Sequence, residues 1–268
     1  MRVIVLTSTF RRHNFLINRL AAELDVVGVW QEEKSFQPAS YARTADDAEV
    51  ISRHFSARDA AEASYFAGHE RTLLPRGSVC RRITAATIND SAEVARMEAC
   101  RPDVVAVFGT GLLREPILHA FDGQFINLHL GLSPYYRGAG TNFWPLVNRR
   151  PEYVGATIHY LDAGIDTGPI IAHRRPCIEC LDGPHDIGNK AIAAAAETVI
   201  GAIRAHVEGR VRARPQTQKG RLYQRKDFSA DALRDLHQNF ATGMISEYLD
   251  HQSERDSRLA LVTLPTEA

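Results

Sequence analysis

The chain of 268 residues has no long apolar run and no excess of charge of either sign. Its apolar stretches are short, residues 104–108 among them, far below the roughly 18–20 that a membrane helix needs. The apolar core at residues 3–6, followed by Arg11 and Arg12, is too short for a signal peptide and reads as a first strand. Lys+Arg and Asp+Glu number 32 each, so no global basic surface recommends nucleic acid as the main partner. Four cysteines are too few to staple a chain of this length. What is present is 44% hydrophobic and 24% charged residues, the balance of a globular protein and not of a disordered one. Together these features predict a cytoplasmic enzyme with neither a membrane nor a nucleic acid as partner.

Hydrophobic patterning predicts an α/β fold. Residues 3–6 form a fully apolar, β-branched run of the kind a buried parallel strand shows. Phe15, Leu16, Leu20 and Leu24 follow at helical spacing, and residues 26–30 give a second strand. Strand, helix, strand is the opening of a parallel sheet. Residues 45–66 are predicted helical, with Val50, Ile51, Phe55 and Ala60 inward, and a short strand is placed at 82–84. Asn89, Asp90 and Ser91 can cap a helix running to about Cys100. Residues 104–108 form a strong strand, ended by Gly109, Thr110 and Gly111, with a helix expected over 112–120. Further strands are expected at 124–130, 154–161 and 170–173, with a loop at 133–140. An alanine-rich helix over 187–207 carries Ile192, Val199, Ile203 and Val207 on one stripe. Residues 215–220 read as a linker, and Leu222 with Tyr223 as a short strand. Ser229 is placed as the cap of a last helix bearing Leu233, Leu236, Phe240 and Met244. Fraying is expected from about Ser253.

Asn127 and His129 stand two apart in an apolar strand, so both face one side while Ile126, Leu128 and Leu130 face the other. The carboxyl end of a parallel sheet is where α/β proteins bind ligands. An amide and an imidazole there can donate to a developing oxyanion, and the imidazole can move a proton near neutral pH. The segment 162–168, with Asp162, Gly164, Asp166 and Gly168, makes a sharp loop between strands. If Asp166 reaches His129, it fixes the tautomer of the ring.

Several motifs in fixed order resemble the folate-dependent formyltransferases. They are Asn127-Leu128-His129, then Leu132-Ser133-Pro134-Tyr135-Tyr136-Arg137-Gly138, then Gly155-Ala156-Thr157-Ile158-His159, then the 162–168 loop. The match covers roughly residues 100 to 180, and Ser133 stands where the family has a second leucine. The resemblance implies a Rossmann-like formyltransferase fold with a mostly parallel sheet and a short helical C-terminal extension. It implies a catalytic domain over 1–212 and the extension over 213–268. The formyl donor would be 10-formyltetrahydrofolate, with no metal, and Asn127, His129 and Asp166 would take the catalytic roles. Phe108, Gly109, Thr110, Gly111, Leu112, Leu113, Asp162, Gly164 and Ile165 would line the folate pocket.

The acceptor is a separate question. The turn after the first strand reads Thr7-Ser8-Thr9-Phe10-Arg11-Arg12-His13-Asn14 and lacks the glycines of a phosphate-cradling loop, which disfavours a glycinamide ribonucleotide acceptor. Ser8, Arg11, Arg12 and His13, with Tyr135 and Arg137, are instead assigned to a small anionic amine such as a nucleotide-linked amino sugar. Tyr223, Arg225 and Asp227 are weaker candidates for the same side. The tail looks helical and gives no sign of the β-barrel that methionyl-tRNA formyltransferases carry. Hydrolysis of 10-formyltetrahydrofolate and a methionyl-tRNA formyltransferase-like activity are the alternatives, and a homodimer is left open. His173, Cys177, Cys180 and His185 imitate zinc spacing. Four extended residues, however, would hold His173 and Cys177 about 13 Å apart.

Overall fold

A computed structural model of the chain describes residues 1–34, 37–162, 164–218 and 220–264. Ala163 of the 162–168 loop and Lys219 of the expected linker lie outside these, as does the end of the tail.

The elements run β1 (Arg2–Ser8), α1 (Arg11–Glu23), β2 (Asp25–Glu32), α2 (Ala45–Tyr65), β3 (Val79–Ile83), α3 (Ser91–Ala99) and β4 (Val104–Phe108). Then come α4 (Ile117–Ala120), β5 (Phe125–Leu130), β6 (Tyr136–Gly138), α5 (Phe143–Val147), β7 (Ala156–Tyr160), β8 (Ile170–Arg174) and α6 (Pro184–Val207). The chain closes with β9 (Arg221–Tyr223), α7 (Ala230–Ala241), α8 (Met244–Asp250) and α9 (Gln252–Ser257).

Seven strands form one sheet in the order β3-β2-β1-β4-β5-β7-β8. β3 through β5 pair in parallel, whereas β7 and β8 join antiparallel. This is a Rossmann-like α/β architecture with a mostly parallel sheet. The order reverses between β1 and β4, and at such a switch point the loops beyond the strand ends diverge and open a crevice. One face of the sheet packs Val3, Val5, Val29, Ala106, Ile126 and Leu128 against α1 and α6; the other packs Ile4, Leu6, Trp30, Val105 and Val107 against α3 and α4. Strands covered on both faces explain the unbroken apolar runs of β1 and β4. Among the described residues no helix is long and apolar enough to cross a membrane.

The structure corrects several local expectations. The helix expected over 112–120 begins only at Ile117, because Pro116 disfavours a helical Glu115 before it. Ala60 is exposed; Asp47, Ile51, His54 and Glu62 are the buried positions of α2. Val207 lies outside the α6 stripe at 44% exposed, being the last residue of the helix. The loop at 133–140 contains β6, which pairs in parallel with β9. Ser229 does cap α7, accepting from the Ala232 N–H, but Gly243 adopts φ 80° and breaks the helix, so Met244 opens α8 instead. Residues 254–264 are packed and not frayed: they continue α9, Arg255 pairs with Glu152, and the Val262 backbone bonds His173 at the open edge of β8.

Candidate active site

Strand alternation sends Ile126 and Leu128 into the core and leaves Asn127 and His129, 9% and 8% exposed, on the other face. Antiparallel β7 sets His159 opposite Asn127. The two side chains meet, with Asn127 Nδ2 2.9 Å from His159 Nε2. His159 Nδ1 lies 2.7 Å from the Tyr160 carbonyl, so Nδ1 carries the proton and donates there. Nε2 must then accept from Asn127, which fixes the orientation of the amide. Burial and the neighbouring His129 push the pKa of His159 down, keeping that ring neutral.

Asp166 arrives from the loop between β7 and β8. Its φ of 52° is left-handed, a conformation that aspartate tolerates better than most residues. The Gln216 side chain clamps the turn, donating from Nε2 to the carbonyls of Asp166 at 2.9 Å and Gly168 at 2.8 Å. Asp166 Oδ2 accepts the Gly138 N–H at 3.1 Å, and Oδ1 stands 3.3 Å from His129 Nδ1. The same oxygen is 3.8 Å from His159 Nε2. The second nitrogen of His129 faces the Tyr136 carbonyl at 3.4 Å. Gly131, at φ 151°, is required beneath this ring. A Cβ there would lie 2.8 Å from His129 Nε2 and 2.6 Å from Thr141 Cβ.

These groups open into a cavity of about 670 Å³, within the size range of small-molecule sites. Asn127, His129 and Asp166 all line it, together with Phe108, Gly109, Thr110, Gly111, Leu112, Leu113, Asp162, Gly164 and Ile165. The structure therefore gathers the three expected catalytic residues and the nine expected pocket residues around one space. Its apolar lining includes Val107, Leu112, Leu113, Leu118, Leu161 and Ile165. At the rim Leu112 and Ile165 are 57% and 48% exposed, apolar surface that a flat ring would cover. The loop after β4 is anchored from beneath by buried Glu32, whose Oε2 accepts the Gly111 N–H at 2.5 Å and whose Oε1 accepts from Lys34 at 2.7 Å. Asp162 holds its own turn, accepting from Thr167 Oγ1 and the Gly164 N–H.

The residues expected on the acceptor side are not brought to this cavity. Arg11 pairs with Glu70 at 2.7 Å and Arg12 with Glu62 at 2.5 Å, so both guanidiniums tie α1 to α2 and the turn that follows it. Ser8 Oγ donates to the Glu32 carbonyl within the sheet. His13 is buried against the Phe108 ring, with Nδ1 2.6 Å from Thr7 Oγ1, and burial pushes its pKa well down. The Tyr135 hydroxyl accepts from the Ala260 N–H, and Arg137 reaches the Gly220 carbonyl at 3.4 Å. In their place the cavity wall holds Gly138, Gly140, Thr141, Asn142, Phe143 and Arg225, of which Gly138 ends a quoted motif and Arg225 is a weaker candidate from sequence. His159 stands in a quoted motif to which the sequence assigns no role. Its position two residues from Thr157 on an alternating strand was the available signal.

The zinc-like spacing has other uses. His173 donates from Nε2 to the Ser133 carbonyl and accepts at Nδ1 from the Val262 N–H, while Cys177 and Cys180 are exposed. Among the described residues no group of three or more His, Cys, Asp or Glu could hold a metal ion.

A family model described as formyl transferase matches residues 1–203. The methionyl-tRNA formyltransferase of Thermodesulfovibrio yellowstonii is 30% identical over 131 residues, covering 48% of this chain and 42% of that protein. The chain thus spans less than half the length of that curated relative. Among solved structures, glycinamide ribonucleotide transformylase 1 from Symbiobacterium toebii gives a TM-score of 0.54 at 23% identity, over 80% of this chain and 94% of that one. A sugar N-formyltransferase from Shewanella sp. gives 0.54 at 17% identity, over 85% and 78%. At these identities the likeness is one of fold.

Proposed function

The chain belongs to the formyl transferase family, and from that premise we propose that it moves a formyl group from 10-formyltetrahydrofolate to the amine of a small anionic acceptor, such as a nucleotide-linked amino sugar. The observation that carries this reading is the convergence of an amide, an imidazole and a carboxylate at one cavity, with Asp166 Oδ1 3.3 Å from His129 Nδ1. The apolar lining at Val107, Leu112, Leu113, Leu118, Leu161 and Ile165 suits a flat pterin ring and would hold the donor. When bound, the donor supplies an electrophilic formyl carbon and a nitrogen able to leave.

The residues of this chain then have separable tasks. Asn127 has its amide nitrogen fixed by His159 and keeps a second N–H for a substrate oxygen. His129 in its protonated form, held by Asp166 at Nδ1, offers a donor from Nε2, since its 3.4 Å approach to the Tyr136 carbonyl is long. Two preplaced donors stabilise the negative charge that develops on a formyl oxygen under attack by an amine. Asp166 keeps the ring oriented and accepts the proton that the attacking amine releases, while the nitrogen of the donor would leave with the proton given up by His129 Nε2.

The test is release of tetrahydrofolate from 10-formyltetrahydrofolate with and without candidate amines. Release that depends on the amine supports transfer; release without one points to hydrolysis. His129→Ala and Asp166→Ala are each expected to lower turnover by ~10² or more with the melting temperature little changed. Wild-type rates in either variant would remove that residue from the mechanism.

A further inference from the structure

The cavity is lined also by Gly138, Gly140, Thr141, Asn142 and Phe143 and by Arg225, which is brought there because β9 pairs with β6 in the register Gly138↔Tyr223. The Ala139 N–H donates to the Tyr223 carbonyl at 2.8 Å, and the Tyr223 ring stacks on Trp144 at 4.5 Å. The tail is thereby fixed two residues before Arg225. Of the three tail candidates, Tyr223 is buried and its hydroxyl accepts from Asn148 Nδ2, and Asp227 accepts from the Gln224 N–H within its own turn. Only Arg225 faces the cavity.

Arg225 is the sole lysine or arginine among the described residues lining that space, and its guanidinium has no hydrogen-bond or ion-pair partner among them. The carboxylates of the wall are occupied elsewhere, Asp162 with Thr167 and Asp166 with Gly138 and His129. A second donor lining the same cavity is also unmatched. Asn142 Oδ1 accepts the Gly155 N–H at 3.0 Å, which fixes the amide, and its Nδ2 is buried without an acceptor. Buried donors are rarely left so without a ligand or water to meet them. The cavity thus offers a planar charged fork and an orphan amide, and no described residue answers either.

We propose that Arg225, with Asn142 lining the same cavity, forms the subsite that holds the diphosphate of the acceptor. This rests on the transfer reading above and replaces Arg11 and Arg12 as the source of its anion binding. A guanidinium fork matches phosphate or carboxylate oxygens bidentately. The donor also carries carboxylates, on its glutamate tail. The acceptor is favoured because the β6–β9 pairing carries Arg225 and the segment with Thr141 and Asn142 into the cavity together, whereas Leu112, Leu113 and Ile165, which suit the donor's ring, come from the loops after β4 and β7.

The test is calorimetric binding of two probes to the full chain: inorganic pyrophosphate, and 5-formyltetrahydrofolate compared with the corresponding pteroate lacking glutamate. Arg225 is exposed, so Arg225→Ala is expected to fold normally. It should weaken pyrophosphate binding by about tenfold or more while leaving the folate within about twofold, and Arg225→Lys should recover part of the loss. Unchanged pyrophosphate binding in Arg225→Ala overturns the proposal. So does a loss confined to the glutamate-bearing folate, which would assign the guanidinium to the donor. Failure of formyl transfer in the wild-type protein would remove the enzymatic reading but leave the pyrophosphate result standing.

Discussion

At the scale of single residues, the site depends on orientation more than on residue type. Asn127 can present a donor to a substrate only because its amide is held by His159, and His159 can accept at Nε2 only because its Nδ1–H donates to the Tyr160 carbonyl. His159→Leu would leave the buried amide nitrogen unpaired and free to turn, an error that costs about 1–3 kcal/mol for such a group. We expect kcat to fall by about tenfold with KM for the donor nearly constant, since the lost orientation matters most when charge develops. His159→Gln, which restores an acceptor, should recover part of the rate. Steady-state kinetics of the two variants decide the matter, and equal rates for wild type and His159→Leu would count against the relay. The pair of Asn127 and His129 was legible from strand alternation alone. The role of His159 was not, because which strand lies beside β5, and in what register, is settled by pairing across distant sequence.

Between elements, the contact of α2, α6 and α7 makes a pH-sensitive seam. The His54 ring lies 4.7 Å from that of His185 and 6.1 Å from that of His237, centroid to centroid, with Phe55 and Phe143 packed around it. Burial, then the facing rings of His185 and His237, then Arg58, push His54 down to about 3. The folded protein therefore keeps this ring neutral, while the unfolded chain takes up a proton near 6.5. Stability is fully present above that value and is lost as pH falls from 6.5 toward 3, at up to about 1.4 kcal/mol per pH unit for one proton. His185 and His237 are also lowered by burial and act in the same sense. Melting curves at pH 7.5 and 5.0 should show a smaller acid-induced drop for His54→Phe than for wild type, and identical drops would rule this contribution out. Local sequence signals located α2 and α7 well. They put Ala60 inward and missed His54, because the inward face of a weakly amphipathic helix is chosen by its neighbours.

For the whole molecule, the question is whether residues 213–268 are an appendage. One apolar cluster joins Ile51, Leu146, Val154, Ile178 and Ile187 to Ala230, Leu233, Leu236, Met244, Ile245 and Tyr248. Arg214 bridges Ile170, and Val262 bonds His173 at the edge of the main sheet. A chain ended at residue 212 would expose one half of that cluster and an open strand edge. We expect such a truncation to aggregate or to melt without cooperativity; a sharp, reversible thermal transition in residues 1–212 would contradict this. Removing the tail would also take away Gln216, which clamps the Asp166 turn, so the tail reaches the site as well as the core.

The sequence by itself determined the order along the chain of the seven strands of the main sheet, their apolar runs, and the shared face of Asn127 and His129 on β5. Each of these depends on residues within a few positions of one another, where periodicity and strand alternation act directly. Only the tertiary structure decided that Asp166 lies beside His129, that Arg11 and Arg12 are committed to Glu70 and Glu62, and that Arg225 turns into the cavity. Those outcomes turn on which charges and strand edges meet after the chain has packed. Long-range pairing of that kind leaves no local pattern in the order of the residues.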